Sequence, residues 1–271
     1  MTLVIGVLIG VVMGLTGAGG GVLAVPALVF GLGLTMQQAA PIALVGVAIA
    51  ASVGAIQGLR RRVVRYRAAM LIAAAGLPAS ALGVAAAQHT PDLVLRVLFV
   101  LILLLVAGRQ FSATAAAESE SPEAVPASRR LVAELNPSTG QFVWTAQAAT
   151  GFVGIGLVTG FFSGLLGVAG GFVLVPMLSH WTRLDARNLV GTSLLVTAMV
   201  TAFGAVAHAL SGSGLPPDLA ASFAAALTLG MLVGRAASMR VADRWTHRGF
   251  AALVLAVAAA LAIDIARRLL G

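Results

Sequence analysis

Long apolar runs, separated by short polar stretches, decide what this chain can fold into. Ten such runs occur along 271 residues, and six of them reach about 20 residues or nearly so, which is the length that an α-helix needs to cross a membrane. Backbone groups in lipid must be paired within the protein, so runs of this length predict helices. The sequence therefore predicts an all-α protein that crosses the membrane several times. The runs cover residues 3–15, 22–34, 39–59, 68–87, 93–110, 142–162, 172–181, 189–210, 219–239 and 250–265.

The composition agrees with a membrane protein and excludes several other classes. Hydrophobic residues make up 59% of the chain and charged residues 10%, whereas a soluble domain carries about 25% charged residues. All 17 basic residues are arginines, and they flank the apolar runs, so membrane topology and lipid headgroups explain the net charge of +8 better than nucleic acid does. The absence of cysteine excludes disulfides, zinc–thiolate sites and thiol nucleophiles. Residues 1–34 have no basic start and stay apolar throughout, so we expect no cleaved signal there.

Two glycine-rich stretches separate short apolar runs, and they are copies of each other. GLTGAGGGVLAVPAL (14–28) and GLLGVAGGFVLVPML (164–178) match at eight of fifteen positions without a gap, at an offset of 150. The shared glycines and the shared proline carry this match, because leucine and valine coincide easily in apolar sequence. Internal duplication is common in transporters, and their substrate sites lie at the repeat interface. The sequence therefore predicts two membrane repeats.

Between the repeats the composition changes. SATAAAESESPEAVPASRR is small, polar and proline-containing, which is typical of a solvent-exposed linker. We assign residues 1–111 to the first membrane repeat, 112–141 to the linker and 142–271 to the second membrane repeat.

The arginines indicate how the repeats are oriented, because cytoplasmic loops are enriched in them. If each glycine-rich pair of runs crosses the membrane once, the repeats are parallel, and several arginines fall outside. If each pair turns back as a hairpin, the repeats are inverted, and fourteen arginines lie at or near the cytoplasmic face against three outside. This count favours inversion, although the run 142–162 is long enough to span alone. The fourteen are Arg60, Arg61, Arg62, Arg65, Arg67, Arg109, Arg129, Arg130, Arg183, Arg187, Arg235, Arg240, Arg244 and Arg248.

The glycine clusters predict an anion site made of main chain. Irregular backbone at membrane depth is tolerated only where it is buried in protein or lines a cavity. A half-helix that starts after each break, near Gly20 or Gly170, points its free N–H groups and its positive dipole end at the break. Pro26 and Pro176 are expected about two turns into these half-helices, where they would kink them. The alternative is close helix packing, which Gly6, Gly10, Gly14, Gly156, Gly160 and Gly164 fit well. The predicted main-chain ligands are Gly17, Gly19, Gly20, Gly21, Gly167, Gly170 and Gly171.

Few polar side chains are available to complete such a site. Thr192 and Ser193 offer two hydroxyls that the first repeat lacks, with back-bonding to the helix as the alternative. His208 and Arg235 are further candidates, and Arg235 has the alternative of a snorkelling topology anchor. Acidic residues are missing from the middle of the runs, which disfavours cation transport and carboxylate proton relays. The four histidines are scattered, so the sequence predicts no enzyme, no metal site and no cofactor.

The two glycine-rich stretches, each followed by a further helix, and the GTS at 191–193 resemble the TauE/SafE family of membrane proteins. LVGRAASMRVADR (232–244) is similar to a stretch that such proteins carry in their seventh apolar segment. The resemblance covers essentially the whole chain except the linker. It implies export or uptake of sulfur-containing and organic anions such as sulfite, sulfoacetate or thiosulfate. The first repeat departs from the family pattern, because Pro41, Ile42 and Ala43 stand at the positions aligned with GTS and the Thr-Ser pair is missing there.

These observations predict a secondary transporter of the cell membrane that moves a small sulfur-containing or organic anion by alternating access. A passive anion channel of the same architecture is the alternative. The expected partners are a small anionic substrate and the lipid bilayer, without nucleic acid, and association of several copies is left open.

Overall fold

The protein is helical throughout the part of the chain that the computed structural model describes, namely residues 1–119, 142, 144–168, 170–182, 184–211, 216–238 and 243–270. The first half contains α1 (Thr2–Thr16), a 3₁₀ segment (Gly17–Leu23), α2 (Ala24–Leu32), α3 (Met36–Arg60), α4 (Tyr66–His89) and α5 (Asp92–Ser119). The second half contains α6 (Ala146–Leu166), α7 (Gly171–Trp181), α8 (Ala186–Leu210), α9 (Pro217–Ser238) and α10 (Asp243–Leu270).

Six of the described helices, α3, α4, α6, α8, α9 and α10, are long and apolar enough to cross a membrane. Apolar side chains also remain exposed along them, among them Ile49, Leu82 and Leu229, as expected of helices that face lipid rather than water. The prediction of an all-α protein that crosses the membrane several times is confirmed. We call the end of the bundle at which α3 begins the Met36 end, and the opposite end the Arg60 end.

Local sequence explains where α3 begins. Gly33 adopts a left-handed conformation, with φ of 68°, and ends α2. Thr35 then caps α3: its hydroxyl accepts a hydrogen bond from the Gln38 N–H, and the Gln38 side chain accepts one from the Thr35 N–H. This reciprocal capping box fixes a sharp turn between α2 and α3.

The chain reverses direction at both glycine-rich stretches. Gly17 and Gly167 have φ of 77° and 67°, a region that side chains other than glycine rarely enter. A Cβ placed on Gly20 would overlap the backbone of Met13, and one placed on Gly31 would overlap the side chain of Ile5. Since residue 20 lies beside residue 13 and residue 31 beside residue 5, α2 runs back along α1.

We call the 3₁₀ segment together with α2 the first returning limb and α7 the second returning limb. The first returning limb differs from the prediction. The half-helix expected near Gly20 is a 3₁₀ segment up to Leu23, because consecutive glycines have low α-helical propensity. α2 therefore begins only at Ala24, which puts Pro26 in its first turn rather than two turns inside it, a position where a missing N–H is tolerated. Pro176 does lie inside α7, which begins at Gly171 as expected.

The contacts between helices are related by an exchange of the two halves of the chain. α1 packs along α9 while α6 packs along α4, and α3 contacts α9 while α8 contacts α4. α2 lies on α3 as α7 lies on α8, and the remaining major pairs are α3 with α8 and α5 with α10. When α1–α5 are matched in order with α6–α10, each of these contacts maps onto another contact or onto itself.

The same exchange holds for single residues at glycine contacts. A Cβ on Gly17 would lie 2.9 Å from Val190, and one on Gly167 would overlap Ala40. Likewise, a Cβ on Gly54 would lie 3.0 Å from Leu194, and one on Gly204 3.4 Å from Leu44. A late residue of each of α3 and α8 therefore lies beside an early residue of the other, so these two corresponding helices run antiparallel.

The proposed domain boundaries remain predictions. α5 continues to Ser119, which lies in the region assigned to the linker. The rest of that region lies outside the described residues. Four of the arginines used for orientation also lie outside the described residues, namely Arg129, Arg130, Arg183 and Arg240.

Candidate functional site

The two returning limbs meet inside the bundle. The 3₁₀ segment Gly17–Leu23 packs directly on α7. A Cβ on Gly170 would overlap Thr159, which lies about 20 Å along α6 from its first residue at 1.5 Å per residue. The neighbouring α8, with 25 residues, is about 37 Å long. The N-terminus of α7 therefore starts near the middle of the bundle, beside the first returning limb.

Main-chain donors are exposed to this contact. The Gly170 carbonyl accepts hydrogen bonds from the Val173 and Leu174 N–H groups, which close the first turn of α7. The N–H groups ahead of them, on Gly171 and Phe172, have no acceptor within the helix. In the first limb the Gly21 carbonyl accepts from the Ala24 N–H, and Gly19 lies within the 3₁₀ segment.

The two hydroxyls selected from sequence already have protein partners. The Thr192 hydroxyl accepts a hydrogen bond of 3.0 Å from the backbone N–H of Arg65 and ties α8 to the loop before α4. The Ser193 hydroxyl donates to the Val190 carbonyl at 3.0 Å within its own helix. Both residues are buried, so their assignment to an anion site stays a prediction.

His208 and Arg235 lie at opposite ends of the bundle. His208 is buried, hydrogen-bonds to the backbone of Gly164 and lines a cleft of about 70 Å³ at the Met36 end. Arg235 is half-buried and donates from Nη1 to the Gly54 carbonyl at 3.2 Å, which joins α9 to α3. A second cleft, of about 50 Å³, opens at the Arg60 end beside Arg65 and Arg67. The structure therefore does not bring His208 and Arg235 into one site.

Sequence reasoning missed a group of buried hydroxyls on α4, α6 and α8. Ser80, Thr159, Ser163 and Thr197 are at most 1% exposed, and their hydroxyl oxygens have no hydrogen-bond partner in the part of the chain that the structure describes. Buried polar groups are normally hydrogen-bonded, so each exception needs a reason. Their signal in the sequence is weak, because a hydroxyl on an apolar helix most often bonds its own backbone.

A buried ion network lies at the Met36 end. Arg96, 2% exposed, pairs through Nε with Asp92 at 2.5 Å and through Nη1 with Asp264 at 2.9 Å. The other oxygen of Asp92 accepts the Met36 N–H at 2.8 Å, so the network joins α3, α5 and α10. Among the described residues, no cluster of histidine and acidic side chains could hold a metal ion.

Comparison with known proteins identifies the family of this chain. The family described as "Sulfite exporter TauE/SafE" matches residues 2–261. The chain belongs to the TauE/SafE family. Among similar proteins are a "Probable membrane transporter protein" of Xylella fastidiosa (strain Temecula1 / ATCC 700964), 27% identical over 93% of this chain and 90% of the relative, and "Probable membrane transporter protein YunE" of Bacillus subtilis (strain 168), 23% identical over 77% of each. No solved structure matches the chain significantly.

This membership confirms the resemblance predicted from the two glycine-rich stretches. As a TauE/SafE protein in which six of the described helices are long enough to cross a membrane, the chain is a multi-pass membrane transporter and not an enzyme.

Proposed function

We propose that this protein is a secondary transporter that moves a small sulfur-containing or organic oxyanion across the cell membrane by alternating access. The observation that carries the proposal is the contact of the two glycine-rich returning limbs near the middle of the bundle. At this contact α7 begins with free main-chain N–H groups, and the first limb passes as a glycine-rich 3₁₀ segment. The N–H groups of α7 suit an anion because they and the positive end of the helix dipole point the same way.

The charge distribution supports an anion rather than a cation. The acidic residues Asp92, Asp185, Asp218 and Asp243 all lie in the first turn or at the cap of a helix. Asp264 lies in the second half of α10, where Arg96 neutralises it. Among the described residues, the middle of the bundle therefore offers hydroxyls and N–H groups but no carboxylate that a cation would need.

The helix arrangement supports alternating access. The corresponding helices α3 and α8 run antiparallel. The glycine at each chain reversal packs on one of these helices in the other half: Gly17 lies against Val190 of α8, and Gly167 lies against Ala40 of α3. We infer two inverted repeats whose relative rocking exposes the same central site to each face in turn. Together with the predicted cytoplasmic position of Arg60–Arg67, this puts the Arg60 end inside the cell.

The primary test is flux in proteoliposomes that contain the purified protein. Sulfite, thiosulfate and methanesulfonate are offered as substrates and acetate as a carboxylate. We expect saturable uptake of at least one of these anions, accelerated when the vesicles are preloaded with the same anion. Flux that does not saturate and shows no counterflow would assign the passive channel instead. The absence of anion flux from a folded, monodisperse sample would refute both.

A glycine series tests where the anion binds. Gly170→Ala displaces Thr159 and disturbs the N-terminus of α7, and Gly20→Ala does the same to the first limb at Met13. The matched control is Gly154→Ala on α6, because a Cβ there meets nothing within 4 Å. We expect the two limb variants to lose transport and the control to keep it, with melting temperatures recorded in parallel. Folded limb variants with full flux would rule out the main-chain site.

A further inference from the structure

Most hydroxyl side chains inside the described helices bond the backbone of their own helix. In most described helices the hydroxyl donates to a carbonyl one turn earlier, as Thr16, Ser52, Thr182, Thr201, Ser222 and Thr228 do at 2.6–3.0 Å. Ser80, Thr159, Ser163 and Thr197 do not, although they are at most 1% exposed and thus as deeply buried as Thr201. A buried hydroxyl without a partner costs about 1–3 kcal/mol. Four such exceptions in one region indicate that another molecule satisfies them.

The four exceptions lie on three helices, α4, α6 and α8, that contact one another, and α6 and α8 also contact α7. Thr159 lies against Gly170, the residue before α7, and Ser163 follows one turn later on the same side of α6. The Ser80 hydroxyl would lie 3.0 Å from a Cβ on Gly204 of α8, and the Ser80 backbone lies against Gly164 of α6. Thr197 lies on α8 two turns before Gly204. Thr159 therefore lies directly at the α7 N-terminus, and Ser163, Ser80 and Thr197 lie further along α6 and on the two helices packed against it.

When the two halves are exchanged, the residues that correspond to these four are apolar. Gly14 packs on Met231 where Gly164 packs on Ser80, so Met231 takes the place of Ser80. At the offset of 150, Ile9, Met13 and Val47 take the places of Thr159, Ser163 and Thr197. All four apolar counterparts are at most 5% exposed. The set of four buried hydroxyls therefore has no second, symmetry-related copy in the other half.

We propose that Ser80, Thr159, Ser163 and Thr197, together with the first N–H groups of α7, form a one-sided subsite that holds the oxygens of the transported oxyanion. This inference rests on the proposed function and assigns its binding groups. Neutral donors suit a cargo that must leave again, because they bind several oxygens of one group without the strong fixed charge of an arginine. Met13 and Met231, which correspond to Ser163 and Ser80, carry no hydroxyl, so the donors of the subsite are not duplicated.

Isosteric substitutions test the subsite. Thr159→Val, Thr197→Val and Ser163→Ala each remove one hydroxyl while nearly keeping its volume. The matched controls are Thr201→Val, one turn from Thr197 on α8, and Ser222→Ala, because both hydroxyls already bond their own helix. Binding is measured as the melting shift of the purified protein with sulfite, thiosulfate or methanesulfonate, and transport as KM in proteoliposomes.

We expect each of the three variants to weaken anion binding by about tenfold, which is a typical effect of one hydrogen bond to a charged group, and the controls to stay within about twofold. Without ligand, the variants should melt at or above the wild-type temperature, because an unpaired buried hydroxyl has been removed. Unchanged binding in Thr159→Val and Thr197→Val, or equal loss in Thr201→Val, would overturn the subsite. So would lower melting temperatures of the empty variants, which would indicate a structural role.

The two proposals fail separately. If the wild type transports none of the anions, the proposed function fails, and the subsite with it. If the wild type transports and the hydroxyl variants transport equally well, the proposed function stands and the subsite alone is wrong.

Discussion

The Arg96 network offers a quantitative test of how the two halves are held together. Arg96 is 2% exposed and is shared by Asp92 and Asp264, whose side chains are 26% and 30% exposed. Replacing Arg96 with Met keeps the apolar stem but removes the charge between two carboxylates. Breaking a buried ion pair from one side costs about 3–5 kcal/mol. Since both carboxylates keep some contact with solvent, we expect the lower end, about 3 kcal/mol.

The assay is the melting temperature of the purified protein in detergent. For a chain of this size, a change of 1 kcal/mol corresponds to roughly 2–3 °C, so Arg96→Met should melt about 6–9 °C below the wild type. Arg267→Met is the control, because Arg267 is an exposed arginine on the same helix as Asp264, and surface substitutions change stability by less than about 0.5 kcal/mol. Arg96→Lys should lie between the two, since lysine keeps the charge but not the fork that reaches both carboxylates.

A double variant separates coupling from lost packing. If Arg96 acts through Asp264, then Arg96→Met combined with Asp264→Asn should destabilise the protein by less than the sum of the two single changes. Strict additivity, or a loss in Arg96→Met no larger than in Arg267→Met, would show that the network does not join α5 to α10 and would refute the argument.

Two further predictions follow from the helix contacts. A Cβ on Gly10 would overlap the Leu227 carbonyl, and a Cβ on Gly160 would overlap the Gly76 carbonyl. Gly10→Ala and Gly160→Ala should therefore each lower the free energy of unfolding by about 1–3 kcal/mol in denaturation assays, while the control Gly154→Ala should not. Equal stability of all three variants would contradict these close approaches. The inverted orientation predicts that Ser211 and Arg62 lie on opposite faces. Because the chain has no native cysteine, an impermeant thiol reagent on intact cells should label Ser211→Cys but not Arg62→Cys, and labelling of both from one side would contradict inversion.

The sequence predicts the fold well where the fold depends on length and on glycine. Runs of about 20 apolar residues predicted the membrane helices, since each run forms a helix by itself. The glycine pairs Gly17/Gly167 and Gly20/Gly170 predicted both breaks, because a reversal within a packed bundle needs positive φ and close backbone approach. The start of α2 at Ala24 was not predictable in this way, since the sequence does not distinguish a 3₁₀ turn of glycines from the first turn of an α-helix.

Contacts between distant segments were harder to predict. The fixed offset of 150 misses the match of Gly83 with Gly234, whose close partners are Phe161 and Val11. These two glycines are 151 residues apart, because the connection before α9 is one residue longer than the one before α4. Asp264 has Arg267 and Arg268 close in sequence, and its pairing with Arg96, which is 168 residues away, depends on the packing of α5 against α10.

The candidate site could not be read from residue types, because the decisive property of a hydroxyl here is whether its own helix satisfies it. Thr197 and Thr201 are one turn apart on α8 and equally buried, yet only Thr201 donates to a backbone carbonyl. The contrast with the glycines has a physical reason. The close backbone approach of α1 to α9 and of α6 to α4 needs glycine at each contact, so the glycine contacts are present in both halves. In the subsite that we propose, one small anion is bound by a single set of donors. The glycines therefore recur in both halves, whereas the hydroxyls of α4, α6 and α8 correspond to the apolar residues Met231, Ile9, Met13 and Val47.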